Sequence, residues 1–515
     1  MSTSQPSTAG PHRLWAWLGP GLVAVFGAFV RFWHLDRPPW IAFDETYYVK
    51  EGLSMTRYGV EVFLKPSLGK DNSAQMLAAN KLLESGSTDF FDPTRPDFVV
   101  HPPLGKWLIG LGMWLFGDGT SPFGWRFTVA LLGSLSILML GRIATRLLGS
   151  ALLGSTAALL LALDGMHFTL SRIAVLDMMV MFWALAAFGC LLIDRDRARA
   201  RLLARAPTRF GPGQGLRGWR IVAGICLGCC AATKWSGLYV AAIFGLLTVL
   251  WDVAARRAAG GRLWLAVALV RDGTVAAVQI LPIMALTYLA TWTGWIRSSL
   301  GYGRNWAEQN PATGAAAMLP DWARSLIHYH VDMYNSAISI TSPHAYSSNP
   351  WSWIVQGRPT SIAYLEWTAG NHPCPYDKCV RAVTALGNPV IWWGGTIAVA
   401  VLLVAWALGR DWRAGAILAG LVATYLPWFA YQGRTIFTFY SVAFAPYVVL
   451  ALTYALGLLL GPPRAGLLRR RWGAAAAGGL VLAALVAFAF FYPVWSAQRI
   501  SHAAWVARMW LPSWI

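Results

Sequence analysis

Residues 221–252 read IVAGICLGCCAATKWSGLYVAAIFGLLTVLWD, and they decide how often the chain crosses a membrane. A spanning helix takes about 20 mainly apolar residues. This run is too long for one comfortable span and carries Lys234 near its middle. Arg217 and Arg220 precede it, and Arg256, Arg257 and Arg262 follow it. Short loops rich in Arg and Lys stay on the cytoplasmic side, so both flanks belong to that side and the run crosses an even number of times. The pattern predicts two short helices turning at "ATKWSGL", with Lys234 at the outer surface.

The composition agrees. Of 515 residues, 56% are hydrophobic and 13% charged, and the mean hydropathy is +0.48. An ordinary soluble domain is about a quarter charged, so the chain is read as an all-α polytopic membrane protein. The net charge of +19 would suggest nucleic acid in a soluble protein. Here the basic residues gather in short loops between apolar runs, so no nucleic-acid partner is expected. Further spans are expected at 14–33, 123–141, 147–164, 173–193, 265–292, 389–409, 414–431, 435–460 and 474–494, which makes eleven in all. The first could be a secretory signal, but no A-x-A-like site follows it, and Arg31, Trp33 and His34 read as an interfacial anchor. Basic loops at Arg142 with Arg146, Arg195 to Arg220, Arg410 with Arg413, and Arg464 with Arg469 to Arg471 keep step with this count. The N-terminus is then cytoplasmic and the C-terminus extracytoplasmic. Residues 1–515 form one integral membrane domain without internal repeats.

Two long segments, 34–122 and 293–388, fall on the outer side, and loops of that length usually have a function. The first ends in "HPPLGKWLIGLGMWLFG", whose leucines at helical spacing predict an interfacial amphipathic helix. Cys374 and Cys379, in "CPYDKC" of the second loop, are expected to pair as a disulfide in an oxidising compartment. Their spacing fits no common zinc pattern. The four other cysteines fall in spans and read as small apolar residues.

Charges near or inside spans are costly and usually functional. On the outer side these are Asp44 and Glu45 of "FDETYY", with His101, Lys106, Arg126, Asp164, Arg172, Asp177, Lys234, His344 and Arg434. Each also has a plainer reading. Lys106 and Arg126 can snorkel to headgroups, Asp164, Arg172 and Asp177 can form a structural ion-pair set, and Lys234 can anchor at the interface. His344 can be an ordinary loop histidine, and the Asp44–Glu45 pair can be a helix cap. Outside the cytoplasm there is no nucleotide-sugar pool, so group transfer needs a donor already activated in the membrane, such as a polyprenyl-phosphate sugar. Its phosphate leaving group needs cations, while an acceptor hydroxyl needs a base. This surface supplies both. An exporter of lipid-linked sugars with a carboxylate-gated path remains open on these grounds alone.

Several motifs carry a resemblance in order: "FDETYY", "HPPLGKW", "GWRFTVALLGSLSIL", "LALDGMHFTLSRIAVLDMMVMF", "ATKWSGLY", "SSNPWSWIVQGRPTSIAY", "ALGNPVIWW" and "RTIFTFYSVAFAPY". Together they resemble the protein O-mannosyltransferases, polyprenyl-phosphate-mannose-dependent enzymes of the C-type glycosyltransferase superfamily, over nearly the whole chain after residue 20. The resemblance implies mannose transfer, with inversion, to Ser and Thr hydroxyls of secreted polypeptides on the outer face of the plasma membrane. It implies Asp44 as base, with Glu45 positioning the acceptor, and Arg126, His101 and Lys106 at the donor, where the outer-side charges also put Arg434. Asp164, Arg172, Asp177, Lys234 and His344 would support them. The implied partners are membrane lipids, the polyprenyl-phosphate-mannose donor, the acceptor polypeptides and the secretion translocon that delivers them. The Asp-Glu pair could hold a divalent metal, but no full ligand set accompanies it. The second loop is too short for the β-trefoil of eukaryotic members, which points to the actinobacterial type. Tyr440-Ser441 stands where eukaryotic members tend to have His-Tyr, so no role of that histidine transfers. A C-type glycosyltransferase with a lipid or polysaccharide acceptor would share the same outer site.

The orientation has a direct test. A cysteine placed at Ala200 should resist impermeant thiol reagents in intact cells, and rapid labelling there would reverse it.

Overall fold

The fold is given by a computed structural model that describes residues 11–117, 119–205, 208–368, 373–462 and 465–515. The polar N-terminal residues 1–10 and Arg464 of the last basic loop lie outside them. Among the described residues, eight helices are long and apolar enough to cross a membrane: Leu14–Phe32, Pro122–Leu148, Leu176–Leu203, Ser236–Ala258, Trp264–Thr291, Pro389–Ala407, Trp412–Tyr431 and Leu467–Trp495. Shorter apolar helices, Ala151–Ala162, Gly218–Thr233 and Ala445–Leu460, stand at three further expected spans. The 221–252 run does turn at Lys234, whose extended backbone (φ −148°, ψ 145°) ends one helix just before the next begins. Helix Leu176–Leu203 is the buried centre, packed against the helices Pro122–Leu148, Gly218–Thr233 and Ser236–Ala258.

Several boundaries differ from the hydropathy reading. The span expected at 435–460 is helical only from Ala445. Residues before it form a short 3₁₀ turn, Thr438–Ala443, and Phe437 and Tyr440 line a cavity instead of facing lipid. The stretch expected as 147–164 is helical from Ala151 to Ala162, because Gly149 adopts φ +68° to end the preceding helix and Ser150 caps the next. The α-helix within 414–431 stops at Thr424 and gives way to the 3₁₀ segment Leu426–Tyr431, whose second residue is Pro427. The basic loop expected from Arg195 to Arg220 is partly helix and partly core. Arg217 and Arg220 are buried and ion-paired to Asp194 and Asp252, which ties three helix ends together. Burying these guanidiniums is tolerable only because each is paired.

The first long loop folds as helix Glu45–Tyr58, a strand Val62–Leu64 paired antiparallel with Phe91–Pro96, helix Asn72–Glu84 and helix Leu104–Leu115. The last is the expected amphipathic helix. Trp114 and Leu115 on one side are exposed, while its other side lies on Glu45–Tyr58. Two glycines permit that contact. A Cβ on Gly110 would come within 2.5 Å of the Gly52 carbonyl oxygen, and one on Gly52 within 2.9 Å of the Lys106 carbonyl oxygen. The second loop holds helix Asp321–Ser339 and the hairpin Thr360–Thr368 with Lys378–Ala385, whose second strand is tied at Cys379 to Cys374 just before it by a disulfide. Strand Arg499–Ser501 joins that hairpin's edge, so the C-terminal segment and the second loop share one end of the bundle.

Gly110→Val should therefore cost about 1–3 kcal/mol by overpacking and lower the thermal midpoint of the detergent-solubilised protein. Gly478→Ala, where an added Cβ meets no atom within 4 Å, should not. Equal midpoints for Gly110→Val and the parent would contradict the close approach.

Candidate active site

Asp44 stands at the N-cap of helix Glu45–Tyr58, yet its side chain makes no capping bond. An N-cap carboxylate ordinarily accepts from the first-turn amides. Here the residue is half-buried and lines a cavity of about 570 Å³. Glu45 turns the other way and is fully buried. Its oxygens accept from Arg126 Nε and Nη2 at 2.8 Å each, from the Ala42 amide at 3.0 Å and from the Ala174 amide at 2.8 Å. The two adjacent acids thus have different surroundings.

Arg126 is committed as well. Beyond Glu45 it donates to the carbonyls of Leu35, Pro38 and Trp40, and it is fully buried. Arg172 donates to the carbonyls of Arg31, Trp33 and His34 at the end of the first helix, where a cation also suits the helix dipole. The two arginines fix the segment that delivers Asp44. The expected ion-pair set of Asp164, Arg172 and Asp177 is not formed, because each has its own partners. Asp164 accepts from the amides of His167 and Asn388 and from Trp392 Nε1, and Asp177 pairs with Lys234 at 2.9 Å.

Around the cavity, Asp44, Tyr47, Tyr48 and Glu51, which share one face of their helix, are joined by His101, Lys234, Arg434 and Tyr440. Lys234 Nζ lies 4.9 Å from the Tyr440 ring centre. Lys106 is buried against Glu61 at 2.5 Å and holds the His101 carbonyl at 2.8 Å, so it shapes the His101 loop. His344 is exposed, with its ring edge-on to Phe437 and to Phe43, the residue before Asp44. Burial is the main cause that pushes Asp44 up to about 6, with Lys234 opposing it and Asp177 adding to it. Burial, followed by Lys234, Lys106 and Arg434, holds His101 well below the usual histidine range, so its ring is neutral. Glu51 is raised to about 7 and Asp97 to about 6, again chiefly by burial. Neither was expected at the site, although Glu51 shares the helical face of Asp44 and could have been found by spacing. Among the described residues no three His, Cys, Asp or Glu side chains come together to hold a metal.

A second, apolar cavity of about 410 Å³ adjoins the first, and the two share Trp235, Ser236, Ala337, Trp428, Arg434 and Tyr440. At that seam Arg434 Nε is buried without a hydrogen-bond partner. The site therefore combines a partly buried carboxylate, a neutral imidazole and cations with an apolar groove, which suits transfer from an amphiphile with an anionic head.

The chain is similar to known proteins in sequence and in fold. Residues 95–296 match the family described as dolichyl-phosphate-mannose-protein mannosyltransferase, and residues 322–514 match the "C-terminal four TMM region of protein-O-mannosyltransferase". A polyprenol-phosphate-mannose–protein mannosyltransferase of Mycobacterium tuberculosis is 35% identical over 98% of this chain and 93% of its own length. One from Corynebacterium glutamicum is 31% identical over 96% and 92%. In the solved Saccharomyces cerevisiae protein O-mannosyltransferase Pmt1-Pmt2 complex bound to the sugar donor, a chain shares the fold with a TM-score of 0.71, covering 97% of this chain and 92% of its own at 15% identity.

Removing one partner of a buried pair leaves an uncompensated charge and costs about 3–5 kcal/mol. Arg126→Met should therefore lower the thermal midpoint markedly. Glu45→Gln combined with Arg126→Met should cost clearly less than the sum of the two single changes. Strict additivity in that double-mutant cycle would contradict the pairing.

Proposed function

Because the chain belongs to the polyprenol-phosphate-mannose–protein mannosyltransferases, and so transfers mannose from a lipid-linked donor to protein, we propose that Asp44 is its general base and the cavity it lines is where acceptor and donor meet. The observation that carries this reading is the uncapped Asp44 carboxylate. It is the member of the Asp-Glu pair left free to accept a proton.

The polyprenyl tail occupies the apolar cavity and its phosphate lies at the seam, where Arg434 has an unpartnered Nε. A Ser or Thr hydroxyl from an extended polypeptide enters the larger cavity and gives its proton to Asp44 as its oxygen bonds to the anomeric carbon of mannose. The bond from that carbon to the phosphate oxygen breaks, and polyprenyl phosphate leaves. Arg434, with Lys234 nearby, balances the charge that develops on the phosphate. A single displacement inverts the configuration and needs no covalent enzyme intermediate. Neutral His101 serves as a hydrogen-bonding wall for the sugar. Glu45 and Arg126 act through Asp44 by fixing its position, and Lys106 does the same for His101. The reading sets the reaction at the extracytoplasmic face of the plasma membrane, where secreted polypeptides emerge from the translocon. It is supported by the distribution of basic loops and by the placement of both long loops at one end of the bundle.

Two outcomes follow from Asp44. Proton removal by a positioned base is worth roughly 10²–10⁴-fold, so Asp44→Asn should reduce mannose transfer from polyprenyl-phosphate-mannose to a Ser/Thr peptide by that factor while leaving donor binding intact. A base works only when ionised, so with Asp44 raised to about 6, kcat/KM of the parent should fall as the pH drops through about 6. Near-parental turnover by Asp44→Asn, or a profile flat through that range, would place the base elsewhere.

A further inference from the structure

Strands Lys378–Ala385 and Arg499–Ser501 pair antiparallel, with Arg381 directly opposite Arg499. Like charges in that position repel, and no acid on their face of the sheet offsets them. Side chains alternate between the two faces of a strand, so Glu366, opposite Val380, lies on the other face, against Lys378, Tyr364 and His502. Arg381 Nε is buried without a hydrogen-bond partner. Its guanidinium lies 5.8 Å from the Trp40 ring centre and 5.9 Å from that of Trp367. Burial first, then the like charges of Arg37 and Arg499, lower the Arg381 guanidinium from its ordinary value. Three arginines therefore meet at one place, and among the described residues none of them forms an ion pair.

The cluster stands at the end of the bundle that carries both long loops. Arg37 and Trp40 follow span Leu14–Phe32, and Arg499 follows span Leu467–Trp495. Arginines that set orientation gather at the cytoplasmic end, which is the opposite end in the reading above. Paired guanidiniums offer flat donor forks that match phosphate oxygens, and tryptophans suit headgroup depth. The cluster also adjoins the segment that leads to Asp44. Arg37 stands between Leu35 and Pro38, whose carbonyls, with that of Trp40, are gathered by Arg126, the partner of Glu45.

We propose that Arg37, Arg381 and Arg499 bind the phosphate of an anionic phospholipid of the outer leaflet, at a site separate from the donor's, and that this headgroup braces the segment that positions Asp44. The binding half stands apart from the mechanism above, whereas the activating half rests on Asp44 being the base. The ends of two spans bracket the arginines and set them at headgroup depth, which favours a lipid over a free anion or an acidic polypeptide.

The purified full-length protein, exchanged into phosphatidylcholine with phosphatidylglycerol, would be examined by native mass spectrometry. The parent should retain phosphatidylglycerol, and Arg381→Gln combined with Arg499→Gln should lose most of it. Lys378→Gln, which removes a cation from the other face of the sheet, should retain it. Equal retention by the parent and the double variant would overturn the site. In neutral detergent the double variant should melt no lower than the parent, because a repulsion has been removed. A lower midpoint would mean that the arginines already have partners within the protein, which also overturns the proposal. In vesicles, phosphatidylglycerol should raise the parent's kcat on an uncharged Ser/Thr peptide several-fold over phosphatidylcholine alone, and the double variant should not respond. An equal response in the double variant would overturn the activation, and full activation of the parent by inorganic phosphate in phosphatidylcholine would overturn the lipid in favour of a free anion. A double variant that keeps the response but has a raised KM for polyprenyl-phosphate-mannose would assign the cluster to the donor instead. Lipid retention is read without any transfer, so its failure is separable from failure of the base assignment.

Discussion

The buried pair of Glu45 and Arg126 is the constraint on which the site depends. Four hydrogen bonds to two carboxylate oxygens satisfy a charge that would otherwise be prohibitively costly away from water. They join the start of helix Glu45–Tyr58 to span Pro122–Leu148 through Arg126 and to the turn before span Leu176–Leu203 through the Ala174 amide. Once Glu45 is held inward, the neighbouring Asp44 is turned toward the cavity, because adjacent residues at a helix start cannot share one direction. Arg172, by gathering the carbonyls that end the first helix, fixes the other end of the same segment.

Electrostatics then divides the labour. Arg126 and the amides keep Glu45 a structural carboxylate, whereas Asp44 has only partial compensation from Lys234 and is raised to about 6. A carboxyl with that affinity is ionised at neutral pH yet accepts a proton more readily than an ordinary aspartate, which suits a base for a hydroxyl nucleophile. Lys234 is restrained by Asp177, so the less restrained cation at the seam of the two cavities is Arg434.

Much of this is legible in the sequence. Hydropathy and the distribution of Arg and Lys place the apolar helices, and the flanking charges resolve the 221–252 run into two helices at Lys234. Asp44, His101, Lys234 and Arg434 do meet around one cavity. What is not legible depends on contacts between distant residues. Nothing near Glu45 reveals that its partner amide is Ala174, 129 positions away, so the two acids look alike in sequence. Asp164 likewise takes its donors from Asn388 and Trp392, far from the arginine and aspartate beside it in the chain. Residues 435–444 are apolar enough to pass for a span, because aromatic rings that line a cavity and rings that face lipid score the same.

The most direct test is a structure of the protein with an unreactive polyprenyl-phosphate-mannose analogue and a Ser-containing peptide bound. The account predicts an Asp44 carboxylate oxygen within about 2.6–3.2 Å of the serine hydroxyl, with Glu45 still paired to Arg126 and contacting neither substrate. A serine hydroxyl bonded to Glu45, or lying beyond reach of Asp44, would contradict it.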